Sequence, residues 1–200
     1  WQTPAAELGL RGLALPILES FAEAEEFSDL LIHAGPVTFK AHRVVLAGAS
    51  PVFKQMIMAL PPPPGPGSHE LYIDGIEPRT MKQVLRHCYN GHAENTIDEQ
   101  NAIEVLGAAH RFGLDGLKEL CVQFLLYHLN RETAVGVLIA SDRFAAPELG
   151  AQSIQYIVHH LRAVQHCPEF AQLPRHLIGA IKRRAAQKIE QISKRQRVAC

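Results

Sequence analysis

Eleven histidines, four cysteines and a glycine–proline loop are the residues of this chain whose types could do chemistry. Cysteine and histidine hold zinc when two pairs stand at finger spacing. Here Cys88 is followed by His92 and His166 by Cys167, with no second pair at the distance a finger needs. Gly65-Pro66-Gly67 lacks the Lys-Ser/Thr and the strand–helix flanks of a phosphate-cradling loop. Ser, His and Asp are all present, but no nucleophile elbow or activated cysteine singles one out. No catalytic residue, metal ligand or cofactor site is assigned. The expectation is that the chain is not an enzyme.

The elements that would position any functional residue are legible. The densest stretch runs from Phe27 to Leu60. Asp29 to Ala34 is apolar and β-prone, Gly35-Pro36 is a turn dipeptide, and Val37 to Ala41 alternates apolar with polar, which gives a hairpin. His42 to Ser50 is apolar on nearly every side, so it is read as a short buried helix. Ser50-Pro51 restarts the chain, with Ser as N-cap and Pro at the first helical position. Val52, Phe53, Met56 and Ile57 follow at helical spacing. Ahead of this stretch, Pro16 opens a helix over Ile17–Glu26 with Ile17, Leu18, Phe21 and Ala22 on one side.

Glu70 to Asp74 reads as a third strand. A helix then begins at Glu77-Pro78, carries Met81, Val84, Leu85, Cys88 and Tyr89 inward, and stops at Asn90-Gly91. Asp98 begins another, with Ile103, Leu106, Ala109 and Phe112 inward and a stop at Gly113. Asp115 caps the next, Asn130 caps Thr133–Phe144, and Pro147 opens a helix to about Val164. Leu177, Ile178, Ile181, Ala185, Ile189 and Ile192 recur at three- and four-residue steps in a last helix with a basic outer face. Three early strands followed by helices make an α+β chain with an all-helical continuation.

Between the second helix of the dense stretch and the third strand stands Pro61-Pro-Pro-Pro-Gly-Pro-Gly-Ser68. Prolines donate no backbone hydrogen bond, so helix and central strand are excluded and polyproline II or a loose loop remains. A tolerated surface insertion is the plainer reading and a ligand for a proline-reading domain the sharper one.

Zero net charge conceals a strong asymmetry. Up to Gly150, 11 Lys and Arg stand against 18 Asp and Glu; from Ala151 on, 9 stand against 2. A globally basic nucleic-acid binder is not indicated. No apolar run approaches the roughly 20 residues of a membrane helix. The cysteines lie far apart and read as reduced thiols, two of them in core-like positions. Without a Met at position 1, the sequence reads as a piece of a longer protein.

The ordered motifs closely resemble the BTB/POZ signature. Phe27, Ser28, Asp29, Phe39, Ala41, His42, Val45, Leu46, Ser50, Pro51 and Phe53 match it. Cys88-Tyr89-Asn90-Gly91 resembles the family's helix stop, and Ala108-Ala109 with Leu114 and Leu117 resembles the helical hairpin that follows. Asn130 to about Ala163 looks like the start of the BACK, or three-box, extension. The expected layout is a linker or the end of a preceding domain over 1–15, a BTB/POZ fold over 16–129, BACK-like helices over 130–175 and a basic amphipathic helix over 176–200.

What the resemblance implies is interaction. Members homodimerise through the first helix and the strand region, which here points to Ile17, Leu18, Phe21 and a charged pair, Asp29 and Arg43. Many recruit the cullin-3 ubiquitin-ligase scaffold and present protein substrates held by another module. That points to Met56, Ile57, Met58, Leu60 and the aromatic Phe112. The family's hydrophobic–any–Glu triplet keeps only its hydrophobic half here, because no Glu follows until Glu70. A dimerising scaffold without ligase coupling is the alternative. The expected compartment is cytoplasmic or nuclear. Lys182-Arg183 and, ten residues on, Lys194, Arg195 and Arg197 have the spacing of a two-part nuclear import signal. They equally suit the solvated face of the last helix, the reading its isoleucine spacing favours.

Overall fold

The computed structural model describes residues 27–63, 67–91 and 97–198. The helix expected over Ile17–Glu26, with Ile17, Leu18 and Phe21, lies outside them. The chain divides into two compact units, one ending at Cys121 and one beginning at Val122. The division falls eight residues before the expected boundary at 129, inside a helix.

In the first unit, β1 (Leu30–Ala34) and β2 (Val37–Ala41) form an antiparallel hairpin that pairs Leu30 with Ala41 and Ala34 with Val37. Gly35 turns the chain at φ +55°, a conformation open to glycine. β3 (His69–Ile73) lies parallel to β1, pairing Leu30 with His69, so the order is β2-β1-β3. A parallel pair needs a long crossover. That crossover contains α1 (Arg43–Ala49), α2 (Pro51–Met58) and the proline segment.

Period-two alternation decides which face of the sheet is buried. Leu30, Ile32, Ala34, Ala41, Leu71 and Ile73 are buried. The opposite face carries His33, Thr38, Glu70 and Tyr72. There the His33 ring stacks on Tyr72 at 4.4 Å, and the Tyr72 hydroxyl donates to Glu70 at 2.7 Å.

α3 (Pro78–Asn90) buries Thr80, Met81, Val84, Leu85, Cys88 and Tyr89 and ends on Gly91 at φ +66°. α4 (Ala102–Phe112) buries Ala102, Val105, Leu106, Ala108, Ala109 and Phe112 and ends on Gly113 at φ +63°. α5 (Asp115–Tyr127) buries Leu117 and Cys121 in this unit. Burial pushes the thiols of Cys88 and Cys121 up to about 12, so both are inert neutral groups.

Several expectations are corrected. The segment after His42 is not buried all round: Leu46 is enclosed but Val44 is 80% exposed. Seven residues make two turns, and only one side of two turns can face a core. Asp98 begins a turn and not a helix; its carboxylate accepts from the backbone N–H of Gln100 and Asn101, and α4 starts at Ala102. That shift puts Ile103 outside the stripe set by Ala102, Val105, Leu106 and Ala109, and it is exposed. Asp115 lies in the first helical turn, not before it.

The second unit is helical. α6 (Ala134–Arg143) follows a turn held by Asn130, whose Oδ1 accepts from the N–H groups of Glu132 and Thr133. The helix expected from Pro147 to Val164 breaks at His160 (φ −114°, ψ 24°) into α7 (Pro147–His159) and α8 (Leu161–Val164). A 3-10 turn (Pro168–Gln172) leads to α9 (Arg175–Val198). Ala134, Val135, Leu138, Ile157, Val164, Leu173, Leu177 and Ile181 form the core. A methyl group on Gly150 would sit 2.9 Å from Ser141 Oγ, so a small residue is what lets α7 approach α6. The apolar stripe of α9 is covered only as far as Ile181; Ile189 is 66% exposed, against the expectation that it faces inward.

Candidate interaction surface

The surface built by α2 depends on how its first residue is fixed. Ser50 is buried. Its Oγ accepts from the backbone N–H of Phe53 at 3.0 Å and donates to the carbonyl of Phe112 at 2.5 Å. One hydroxyl thus caps α2 and ties it to the end of α4, satisfying an orphan group on each helix. The rings of Phe53 and Phe112 stack beside it at 4.4 Å and 14°, both fully buried. Gly113 follows at φ +63°, and that left-handed backbone, not lack of room beside Pro51 and Val52, is what favours glycine there.

A second anchor holds the entry to α1. The backbone N–H of His42 donates to the Tyr89 hydroxyl at 2.9 Å, and His42 Nδ1 lies 2.8 Å from the same oxygen. Burial pushes the Tyr89 hydroxyl above its ordinary value, and the Asp29 charge adds to this; the bond from His42 acts the other way.

Asp29 and Arg43 meet within the chain. Arg43 Nε donates to Asp29 Oδ2 at 2.9 Å and its backbone N–H donates to Oδ1 at 2.8 Å. Arg43 Nη1 reaches His69 Nε2 at 2.9 Å; guanidinium only donates, so Nε2 is the acceptor. Burial would raise the Asp29 carboxyl, but the two hydrogen bonds from Arg43 and its charge outweigh it and hold the group below its ordinary value. The pair is half exposed, at 45% and 40%.

The residues proposed for cullin contact divide. Met58 is 76% exposed, while Met56, Ile57 and Leu60 are half-buried on the same helix end and its continuation. Phe112 is corrected: it is fully enclosed against Phe53, and its ring supports α2 from beneath instead of meeting a partner. Of the basic cluster, Lys182 and Arg183 are exposed on α9 and Lys194 pairs with Glu190 at 2.6 Å. Arg195 and Arg197 lie outside the described side chains. Val44, a surface residue that the apolar pattern concealed, and His69, which no motif marked, were missed. The polar alternation of Glu70 and Tyr72 in β3 was the available signal for the open sheet face.

Among the described residues no group of three or more His, Cys, Asp or Glu could hold a metal ion. No helix there is long and apolar enough to cross a membrane.

The family model for the BTB/POZ domain matches residues 18–129. The chain belongs to the BTB/POZ family. BTB/POZ domains are protein-interaction modules, in keeping with a surface that offers apolar and polar faces. Kelch-like protein 40 of Homo sapiens is 33% identical over 108 residues, covering 54% of this chain and 16% of that protein. TD and POZ domain-containing protein 5 of Mus musculus is 31% identical over 114 residues, covering 53% of this chain and 31% of that one. The chain therefore spans less than a third of the length of these relatives. Among solved structures, the BTB domain of human Gigaxonin is 25% identical with a TM-score of 0.49, covering 62% of this chain and 95% of that one.

Proposed function

We propose that this BTB/POZ chain is a homodimeric substrate adaptor of a cullin-3 RING ubiquitin ligase, with the α2 end and the start of the proline segment as its cullin contact. The observation that carries the reading is Met58, 76% exposed at the tip of a helix whose other side is locked by Ser50 and the Phe53–Phe112 stack. A flexible, polarizable side chain held out on a rigid mount is suited to a protein interface. Kelch-like proteins among the relatives and the helical second unit, which resembles a BACK extension, support it. Protein substrates are assigned to a further segment, as expected when relatives are several times longer than the matched stretch.

The test is retention of the purified chain by immobilised cullin-3 N-terminal domain. Retention is expected for the wild type, and Met58→Lys should weaken it roughly tenfold or more with the fold intact, since the side chain contributes little to the core. No retention of the wild type would sink the proposal.

One observation favours a second reading, a dimerising scaffold without ligase coupling. No charged residue stands between Gln55 and Ser68, so the acidic half of the family's triplet is missing. Sedimentation that shows a dimer, together with no cullin retention, would select it.

A further inference from the structure

The proline segment that joins α2 to β3 lends only its start to the proposed cullin contact, which leaves the run of prolines itself without a role. Its backbone conformation follows from covalent chemistry. Pro61, Pro62 and Pro63 have φ fixed near about −65° by their rings. Leu60 and each of these three also precede a proline, which disfavours the α region for them and favours extended ψ. That combination is polyproline II. The helix needs no partner to form it and cannot collapse into the sheet, because prolines donate nothing to a ladder.

Placement makes it available. Pro61 and Pro62 are exposed and Pro63 half-buried. The segment is fastened at both ends. The Leu60 N–H donates to the Ile57 carbonyl at 3.2 Å. Beyond it, the His69 N–H donates to the Asp29 carbonyl at 3.1 Å and Ser68 Oγ to the Ser28 carbonyl at 3.4 Å. Proline rings fix φ already in the free chain, so less ordering entropy is lost on binding than by an ordinary peptide. Met58, 76% exposed two residues before Leu60, adds apolar surface next to it.

The flanks define the reader. From Gln55 to Ser68 there is no Lys, Arg, Asp or Glu. What the segment offers is flat apolar rings and bare carbonyl acceptors. The complement is a groove walled by aromatic rings whose Tyr hydroxyl or Trp N–H donates to those carbonyls. We propose that Leu60–Pro63 is a docking site for a proline-reading domain with an uncharged, aromatic-lined groove. The inference stands whether or not the chain binds cullin.

The experiment titrates the whole chain into three isotope-labelled probes in turn, a WW, an SH3 and an EVH1 domain, and follows the groove aromatics by NMR. At least one probe should show saturable shifts confined to its groove. The Pro61→Ala/Pro62→Ala double variant should weaken that binding about tenfold or more, with its circular dichroism unchanged. Affinity should change less than about twofold between low salt and 1 M salt, since no charge is there to be screened. No saturable shift in any probe, equal binding by the double variant, or affinity that collapses with salt would each overturn the proposal.

Discussion

Replacing Ser50 by Ala isolates the joint on which the α2 surface rests. The change removes one oxygen from a site only 1% exposed and leaves no cavity that a side chain could have filled. Two bonds are lost. The N-cap bond to the Phe53 N–H contributes about 1 kcal/mol by comparison with other serine caps. The bond to the Phe112 carbonyl leaves a buried acceptor without that donor, at about 1–3 kcal/mol. Together they imply a loss of about 2–4 kcal/mol, a large share of the roughly 5–15 kcal/mol that holds a domain folded. Urea unfolding followed by circular dichroism measures it as a lower midpoint with an unchanged slope. Ser68→Ala is the control: that hydroxyl makes one 3.4 Å bond at a half-buried site, and its loss should cost at most about 0.5 kcal/mol. If Ser50→Ala costs no more than Ser68→Ala, the reasoning that one hydroxyl joins the two helices is refuted.

Two further outcomes are expected. Tyr89→Phe deletes only the hydroxyl that serves the His42 backbone and ring, and should cost about 1–3 kcal/mol in the same urea assay; a neutral result would mean that water replaces it. The Asp29 carboxyl is held below its ordinary value, so it contributes stability that is present above the unfolded-state pKa and lost as pH falls through the folded one. Asp29→Asn should flatten that acid limb by no more than about 1 kcal/mol, the group being half exposed; an unchanged limb measured by thermal melts from pH 5 to pH 2 would contradict the assignment.

Much of this architecture was legible in the residues because it is locally encoded. Gly35, Gly91 and Gly113 mark backbone that turns left-handed, and each was read as a turn or a stop. Ser50-Pro51 announces a cap and a first helical turn, and both are present. The ordered match from Phe27 to Phe53 named the family, which the family model then covered over 18–129. Strand alternation likewise chose the buried face of β1, since a one-residue slip would have exposed Leu30, Ile32 and Ala34 together.

Position relative to distant neighbours was not legible. A valine in an apolar run looks the same whether it meets a core or solvent, and only the packing of α1 leaves Val44 outside while Leu46 goes in. Phe112 carries an aromatic ring suited to a partner, but it is fully buried against the ring of Phe53. Ile189 keeps the period of a buried stripe past the point where the second unit's core ends. His69 gained a role only because parallel pairing with β1 brings it beside Arg43, 26 residues away. Sequence by itself determined most of the elements, the Ser50 cap, the glycine turns and the family, because those depend on covalent geometry and on neighbours within a few residues. Which apolar side chains are covered, and which stay free to meet a partner, was decided by tertiary structure alone, because burial is a property of what packs from elsewhere in the chain.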